Sequence, residues 1–496
     1  MTPVPQPRPQ HVSRRRGQAT RRRLCALGAT AVSLFLLNGC AGNVLVELPP
    51  GPPDPEGCRT TSAGVCIGVD TAVGDMLGPC PCSNSPVTVS NTPELETALS
   101  AAGSGDCISL NDGHYESVAL PSGVRIVGAS FDGVVLGGLS LASGTGASAC
   151  RLTVTGPITV ESSDALLKYT SITGSNTDGV TLESDGSLTI AGSTISKATR
   201  YGIVAVDGGA LDISRSVIAE NNGPGIWMQC DGDCDCATQP RVSIREVAVR
   251  ENSLVGVALL GTEAELDTVR IADTTVGANF EAGGGLSIAR CSDVTAHGLQ
   301  VEDNSDFGIL VDNSDVSLGG PGASQGLEIN RNLRGIWLQN ISTKASHFAQ
   351  IRNATLTGNQ GIGIGMAGAL GEGSISIADT TISDTAGIAL PNLVGGVSAG
   401  VICMADGILW LNGVEANLDN VTTSGNGRIG VLIDGPATGS LKNILLTGGD
   451  EDGGIAQVNY LGGPQPEIEG TTPPITATED SSPAGGFVGP DCPGTP

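Results

Sequence analysis

From about residue 134 the chain alternates short apolar runs with turns of Gly, Asn, Asp and Ser, and the alternation repeats. Each unit has a polar turn, a glycine, then Ile, Val or Leu, one variable residue and usually another apolar one. Twelve units open at Gly179-Val180, Gly202-Ile203, Gly225-Ile226, Gly256-Val257, Gly285-Leu286, Gly308-Ile309, Gly335-Ile336, Gly363-Ile364, Gly387-Ile388, Gly407-Ile408, Gly430-Val431 and Gly454-Ile455. The steps run from 20 to 31 residues and return most often to 23. A second apolar signature lies inside each step, as in Leu188-Thr189-Ile190 with Ile195 and Leu211-Asp212-Ile213 with Val217. A unit of this length holds two or three strands of three to five residues. Such strands cannot make a self-sufficient sheet, but they can wrap once around an apolar core and pair with the coils above and below at ~4.8 Å.

Ahead of the repeat, Thr92-Pro93-Glu94 reads as an N-cap, a proline at the first helical position and an acid at the positive end of the helix dipole. Leu95, Ala98, Leu99 and Ala102 then share one helical face. One short helix before a ladder of strands covers the otherwise open first coil. Asn or Asp recurs before the unit glycine, at Asn176, Asn222, Asn252, Asn304, Asn332, Asn359, Asp384 and Asn426, where a polar side chain can bond the backbone of a sharp turn.

These residues resemble the right-handed parallel β-helix repeat family, which has the pectin lyase-like fold, over roughly residues 91–460. The resemblance implies an all-β solenoid with an N-terminal capping α-helix, and says little of chemistry, because the architecture hosts many activities. A β-sandwich would not explain the fixed period. The expected order is a signal segment at 1–39, a Pro-rich tether at 40–57, a Cys-rich irregular segment at 58–90, the β-helix at 91–462 and a Pro/Gly/Thr-rich tail at 463–496.

Residues 1–39 carry seven arginines, no acid and, after the arginines, the 14-residue apolar run Leu24–Leu37, which is short for a spanning helix of ~20 residues. The run ends in Leu37-Asn38-Gly39-Cys40, which resembles the lipobox of bacterial lipoproteins. That resemblance implies a diacylglycerol on Cys40, a lipid anchor in the membrane of the bacterial cell envelope and, with Ala41 next, sorting to the outer membrane. An ordinary cleaved signal peptide or an uncleaved anchor is the alternative. With Cys25 and Cys40 set aside, 14 − 2 = 12 cysteines remain, an even number that suits disulfides in an exported protein.

Acidic residues outnumber basic ones 51 to 25, and removing seven arginines moves the balance from −26 to 18 − 51 = −33. That excludes a nucleic-acid binder by charge and disfavours polyanionic substrates such as uronates. On the Gly-Ile strand the outward column, from Thr181 through Trp227, Ser287 and Trp337 to Ala456, contains no Asp, Glu, His, Lys or Arg. In the polygalacturonases and pectate lyases of the resembled fold, this sheet or its edge carries the catalytic acids, calcium ligands or arginine. Asn176-Thr177-Asp178-Gly179 matches an Asn-Thr-Asp motif of polygalacturonases, but no Asp pair follows on the next coil and no Gly-His-Gly exists. Asp178 and Asp406 stand nine recurrences apart, on the order of 43 Å, too far for paired catalysis. Catalytic residues are therefore expected to be none.

Cys230-Asp231-Gly232-Asp233-Cys234-Asp235-Cys236 is the densest local feature. Asp231, Asp233 and Asp235 are candidate calcium ligands, set against a disulfide-braced loop with no cofactor. Trp227 and Trp337 share the phrase Gly-Ile-Trp-x-Gln and either stack on sugars or lie packed beneath insertions. The expectation is a lipid-anchored, non-catalytic envelope protein whose long surface binds a glycan or an envelope protein. A polysaccharide lyase or glycoside hydrolase with its site on loops or another sheet is the alternative.

Overall fold

The computed structural model describes residues 86–477, except 184–185, 208, 231–238, 278–282, 323–324, 342–347, 369–373, 395–396, 412, 448–453 and 459–462, together with 59–60, 66–67, 80 and 82. Within 388–403 it describes the backbone alone. The signal segment, Cys40 and the tether lie outside the described residues, as do Asp231, Asp233 and Asp235.

The main unit spans Glu47–Leu390 and Gly400–Pro496. Among the described residues its coils carry up to three strand segments, which pair in parallel with their equivalents on adjacent coils. The Gly-Ile strands form the first face, a run of 15 strands among the described residues, from Val118–Leu120 to Ile475–Ala477. The second face holds strands such as Ala210–Ser214 and the third such as Val217–Ala219. In several coils one strand, for example Arg241–Arg250, turns the corner and serves both.

The core follows from register. Ile203, Ile226, Val257, Leu286, Ile309 and Ile336 pair successively along the first face, and all are fully buried. Stacking like side chains buries each one at roughly 1.5–3 kcal/mol relative to exposure. Trp410 is enclosed as well, and its indole N–H donates to the Val414 carbonyl at 3.0 Å.

Between the third and first faces the chain turns on a single left-handed residue: Lys197, Glu220, Glu251, Asp273, Asp303, Arg331 and Asp384 have φ of 54–59°. The next residue points inward and builds a ladder. Asn304 donates from its backbone N–H and its Nδ2 to Asn332 Oδ1 at 3.1 and 2.9 Å, and Asn332 repeats both bonds to Asn359 at 3.0 and 3.2 Å. Left-handed backbone costs roughly 1–2 kcal/mol per non-glycine residue, and these bonds offset it. The ladder corrects three sequence assignments: Asn221 rather than Asn222 is the rung, and Ser175 and Thr385 take the places expected for Asn176 and Asp384.

The helix runs Thr92–Ala101 and buries Leu95 and Leu99. Its N-cap is Asn91, not Thr92: Asn91 accepts from the Glu94 amide, and the Glu94 carboxylate accepts from the Ser90 amide and the Asn91 side chain. Gly387-Ile388 does not start a coil. Ile364 pairs directly with Ile408, while Ile388–Val394 and Val397–Met404 pair with each other. Pro391 has no N–H to give a central ladder, which bars this segment from the sheet. A second unit comprises Met1–Val46 with Pro391–Ala399, of which only parts of that strand pair are described.

Pairing also begins earlier and ends later than the repeat suggests. Val87–Val89 joins Cys107–Leu110, and Glu467–Glu469 and Ile475–Ala477 continue the faces into the Pro/Gly/Thr-rich segment. Disulfides Cys80–Cys150 and Cys82–Cys107 staple the Cys-rich segment to the first coils, each closing a loop worth on the order of 4 kcal/mol.

Candidate functional site

On the outer side of the first face, Val204, Trp227, Ala258, Ser287, Leu310, Trp337 and Gly365 stand in one registered column. The two tryptophans of the shared phrase have different surroundings. Trp337 is only 6 % exposed and packs with Ile362, Leu409, Leu432 and Val458 in an apolar cluster on the outer side of the sheet. Its ring lies across the next coil at Gly365, where any side chain would collide with it. Trp337 is therefore not an exposed stacking platform.

Trp227 is half-buried. Its ring stands 5.8 Å from that of Tyr201 on the preceding coil, tilted by 51°, and its indole N–H donates to Gln229 Oε1 at 3.0 Å. The Arg200 guanidinium sits over the Tyr201 ring at 5.3 Å and pairs with Asp178 at 3.5 Å. Asp178 also accepts from the Tyr201 amide at 3.3 Å. Asp178, Arg200, Tyr201, Trp227 and Gln229 thus form one ledge across three coils.

Three acids that flank this face sit against arginines, whereas Asp312 accepts from the Asn340 and Gln339 side chains and burial raises its carboxyl. Asp406, fully buried, receives two bonds from Arg428, one from Nε at 2.7 Å, and Asp306 faces Arg334 at 3.7 Å. Burial pushes the Asp406 carboxyl up, against the pull of Arg428. Asp178 and Asp406 are eight coils apart rather than nine recurrences, on the order of 38 Å.

Sequence reasoning missed a groove on the second face. It has a volume of about 490 Å³ and crosses five strands, with Thr189, Asp212, Ser243, Glu265 and Thr295 along one registered row. The adjacent row brings Glu263, Asp293 and Asp315 onto successive coils. Burial, then Asp315 and Glu263, raise the Asp293 carboxyl. Arg241 pairs with Glu263 at 3.2 Å, and Arg245 with Asp212 at 3.3 Å. Cys230 and Cys291 are both disulfide-bonded, and Gln239 donates to the Cys291 carbonyl at 3.2 Å. The only hint in the sequence was the variable middle residue of the second signature, as in Leu211-Asp212-Ile213. Among the described residues no group of three or more His, Cys, Asp and Glu is placed to hold a metal ion.

Residues 117–269 and 178–332 match the family described as "Right handed beta helix region". No curated protein matches the chain in sequence. Among solved structures, a pectate lyase is 12% identical, with 59% of this chain and 79% of that chain covered and a TM-score of 0.37. The A-module of a mannuronan C-5 epimerase from Azotobacter vinelandii is 14% identical, covering 82% and 99% at a TM-score of 0.29. The catalytic unit of an α-1,3-glucanase from Streptomyces thermodiastaticus is 11% identical, covering 82% and 71% at 0.34. These are likenesses of fold alone. With its coils in parallel register, the chain has the right-handed parallel β-helix fold, and residues 117–332 match the model of that family.

Proposed function

We propose that this protein is a lipid-anchored, non-catalytic β-helix of the bacterial cell envelope that binds a glycan on its coil faces. One observation supports this most: three carboxylates flanking the first face, Asp178, Asp306 and Asp406, each sit against an arginine. Glycoside hydrolysis needs one carboxyl free to donate a proton and a second free to attack or to activate water. The anchor rests on the charge, length and ending of residues 1–40, and the acidic balance favours a glycan without uronates.

A screen of bacterial and plant polysaccharides, scored for binding and cleavage with and without calcium, is expected to show binding without cleavage. Cleavage abolished by one side-chain change would sink the proposal. The residue to change first is Asp293, because its raised carboxyl between Glu263 and Asp315 is what favours the hydrolase reading. For the anchor, Cys40→Ser is expected to move the protein from the membrane to the soluble fraction of its cells. Unchanged membrane association would refute lipidation at Cys40.

A further inference from the structure

The face carries the same aromatic arrangement twice. Tyr201 precedes the unit glycine on one coil and Trp227 follows on the next, and Phe307 and Trp337 repeat the pattern. Each pair has an arginine, Arg200 over Tyr201 at 5.3 Å and Arg334 over Phe307 at 4.5 Å. The Phe307–Trp337 copy is closed, with Trp337 inside an apolar cluster and the Arg334 side chain 29% exposed. The Tyr201–Trp227 copy is open, with Trp227 half-buried and the Arg200 side chain 61% exposed. The first copy is enclosed in its apolar cluster, whereas the second, with the same tryptophan–glutamine bond, is left partly exposed.

We propose that Tyr201 and Trp227 form a stacking platform for one uncharged pyranose of the bound glycan, with Arg200 donating to its hydroxyls; this rests on the glycan-binding reading above. Sugar C–H faces pack on aromatic rings, and two tilted rings make a corner that fits a ring edge better than a flat partner. The Trp227 N–H is already bonded to Gln229, so the indole offers its ring face. Arg200 has five N–H donors, and the structure shows Asp178 engaging its Nη1. Because Asp178 cancels the charge of Arg200, the ledge carries no net charge. On a chain of balance −33 after signal removal, it has nothing to recover the repulsion of a polyanion.

The test titrates the full mature protein with neutral cellohexaose and maltohexaose, a hexagalacturonate and a glucosamine hexamer, by calorimetry and tryptophan fluorescence. Of the three tryptophans, Trp337 and Trp410 are buried, so a fluorescence change on binding reports on Trp227. Trp227→Ala is expected to weaken neutral-oligomer binding about tenfold or more, and Trp227→Phe to restore most of it. Asp178→Asn leaves the Arg200 charge uncancelled and is expected to shift preference toward the hexagalacturonate. A neutral oligomer that binds Trp227→Ala as tightly as wild type would overturn the platform and leave the glycan-binding reading intact. Tighter binding of the uronate or amino sugar by wild type would overturn the ligand class, and binding of none would overturn both readings. The Trp227→Phe arm separates lost stacking from misfolding.

Discussion

Replacing Arg428 with methionine is expected to cost about 3–5 kcal/mol of stability, measured by urea unfolding at neutral pH. Arg428 is almost fully enclosed, and its partner Asp406 is completely so. Removing the guanidinium leaves a carboxylate out of water with no cation. Burial already pushes the Asp406 carboxyl up, and Arg428 is what pulls it back, so in the variant the upward push is unopposed. An acid whose folded-state value lies above its unfolded value binds more protons when folded. Stability of Arg428→Met should therefore be greatest below the ordinary carboxylate range and fall as pH rises through it toward the raised value. The double variant Asp406→Ile/Arg428→Met should recover most of the loss, because the preceding coil already carries Ile362 in register with Asp406. A single variant as stable as wild type across pH would mean the pair is not what neutralises Asp406, and the argument against a free acid on this face would weaken with it.

The same pair shows what a sequence can and cannot reveal about such a site. The spacing of the Gly-Ile units was enough to place parallel coils, because a fixed period leaves one way to bury every apolar strand. Local chemistry was legible only to within a residue. Asn221 and Asn222 are adjacent and identical, and a shift of one position exchanges the inward and outward sides; only the structure shows that Asn221 is the rung. Gly387-Ile388 satisfies the unit pattern, yet Pro391 three residues on keeps it out of the face. Trp227 and Trp337 share one phrase and differ in burial because of their neighbours: Trp337 meets Gly365 and Leu409 on the following coils, Trp227 meets Ala258 and Ser287. The second-face groove belongs to no motif, since its lining residues come together only when five coils stack.

A polar loss of similar size is expected at Asn332. This side chain is fully buried and makes four bonds: it accepts from the Asn304 amide and side chain, and donates to the Val301 carbonyl at 3.0 Å and to Asn359 at 3.2 Å. Asn332→Ala strands donors and acceptors on three neighbouring residues, at roughly 1–3 kcal/mol per buried group left unpaired, and a loss of about 4 kcal/mol follows. Because each coil contacts only its neighbours, the loss should appear in hydrogen exchange as faster opening of the coils around residues 301–359 before the rest of the solenoid. Asn332→Thr should cost less, since the ladder already tolerates Thr274 and Thr385 at rung positions, both with hydroxyls that make no bond. Asn332→Asp should be worst at neutral pH, where a buried carboxylate would face the Asn359 carbonyl oxygen. Its raised folded-state value means that stability returns as pH falls, when the protonated acid can donate again. If the alanine variant exchanged no faster than wild type, the bonds of the ladder would not be what offsets the left-handed corner at Arg331.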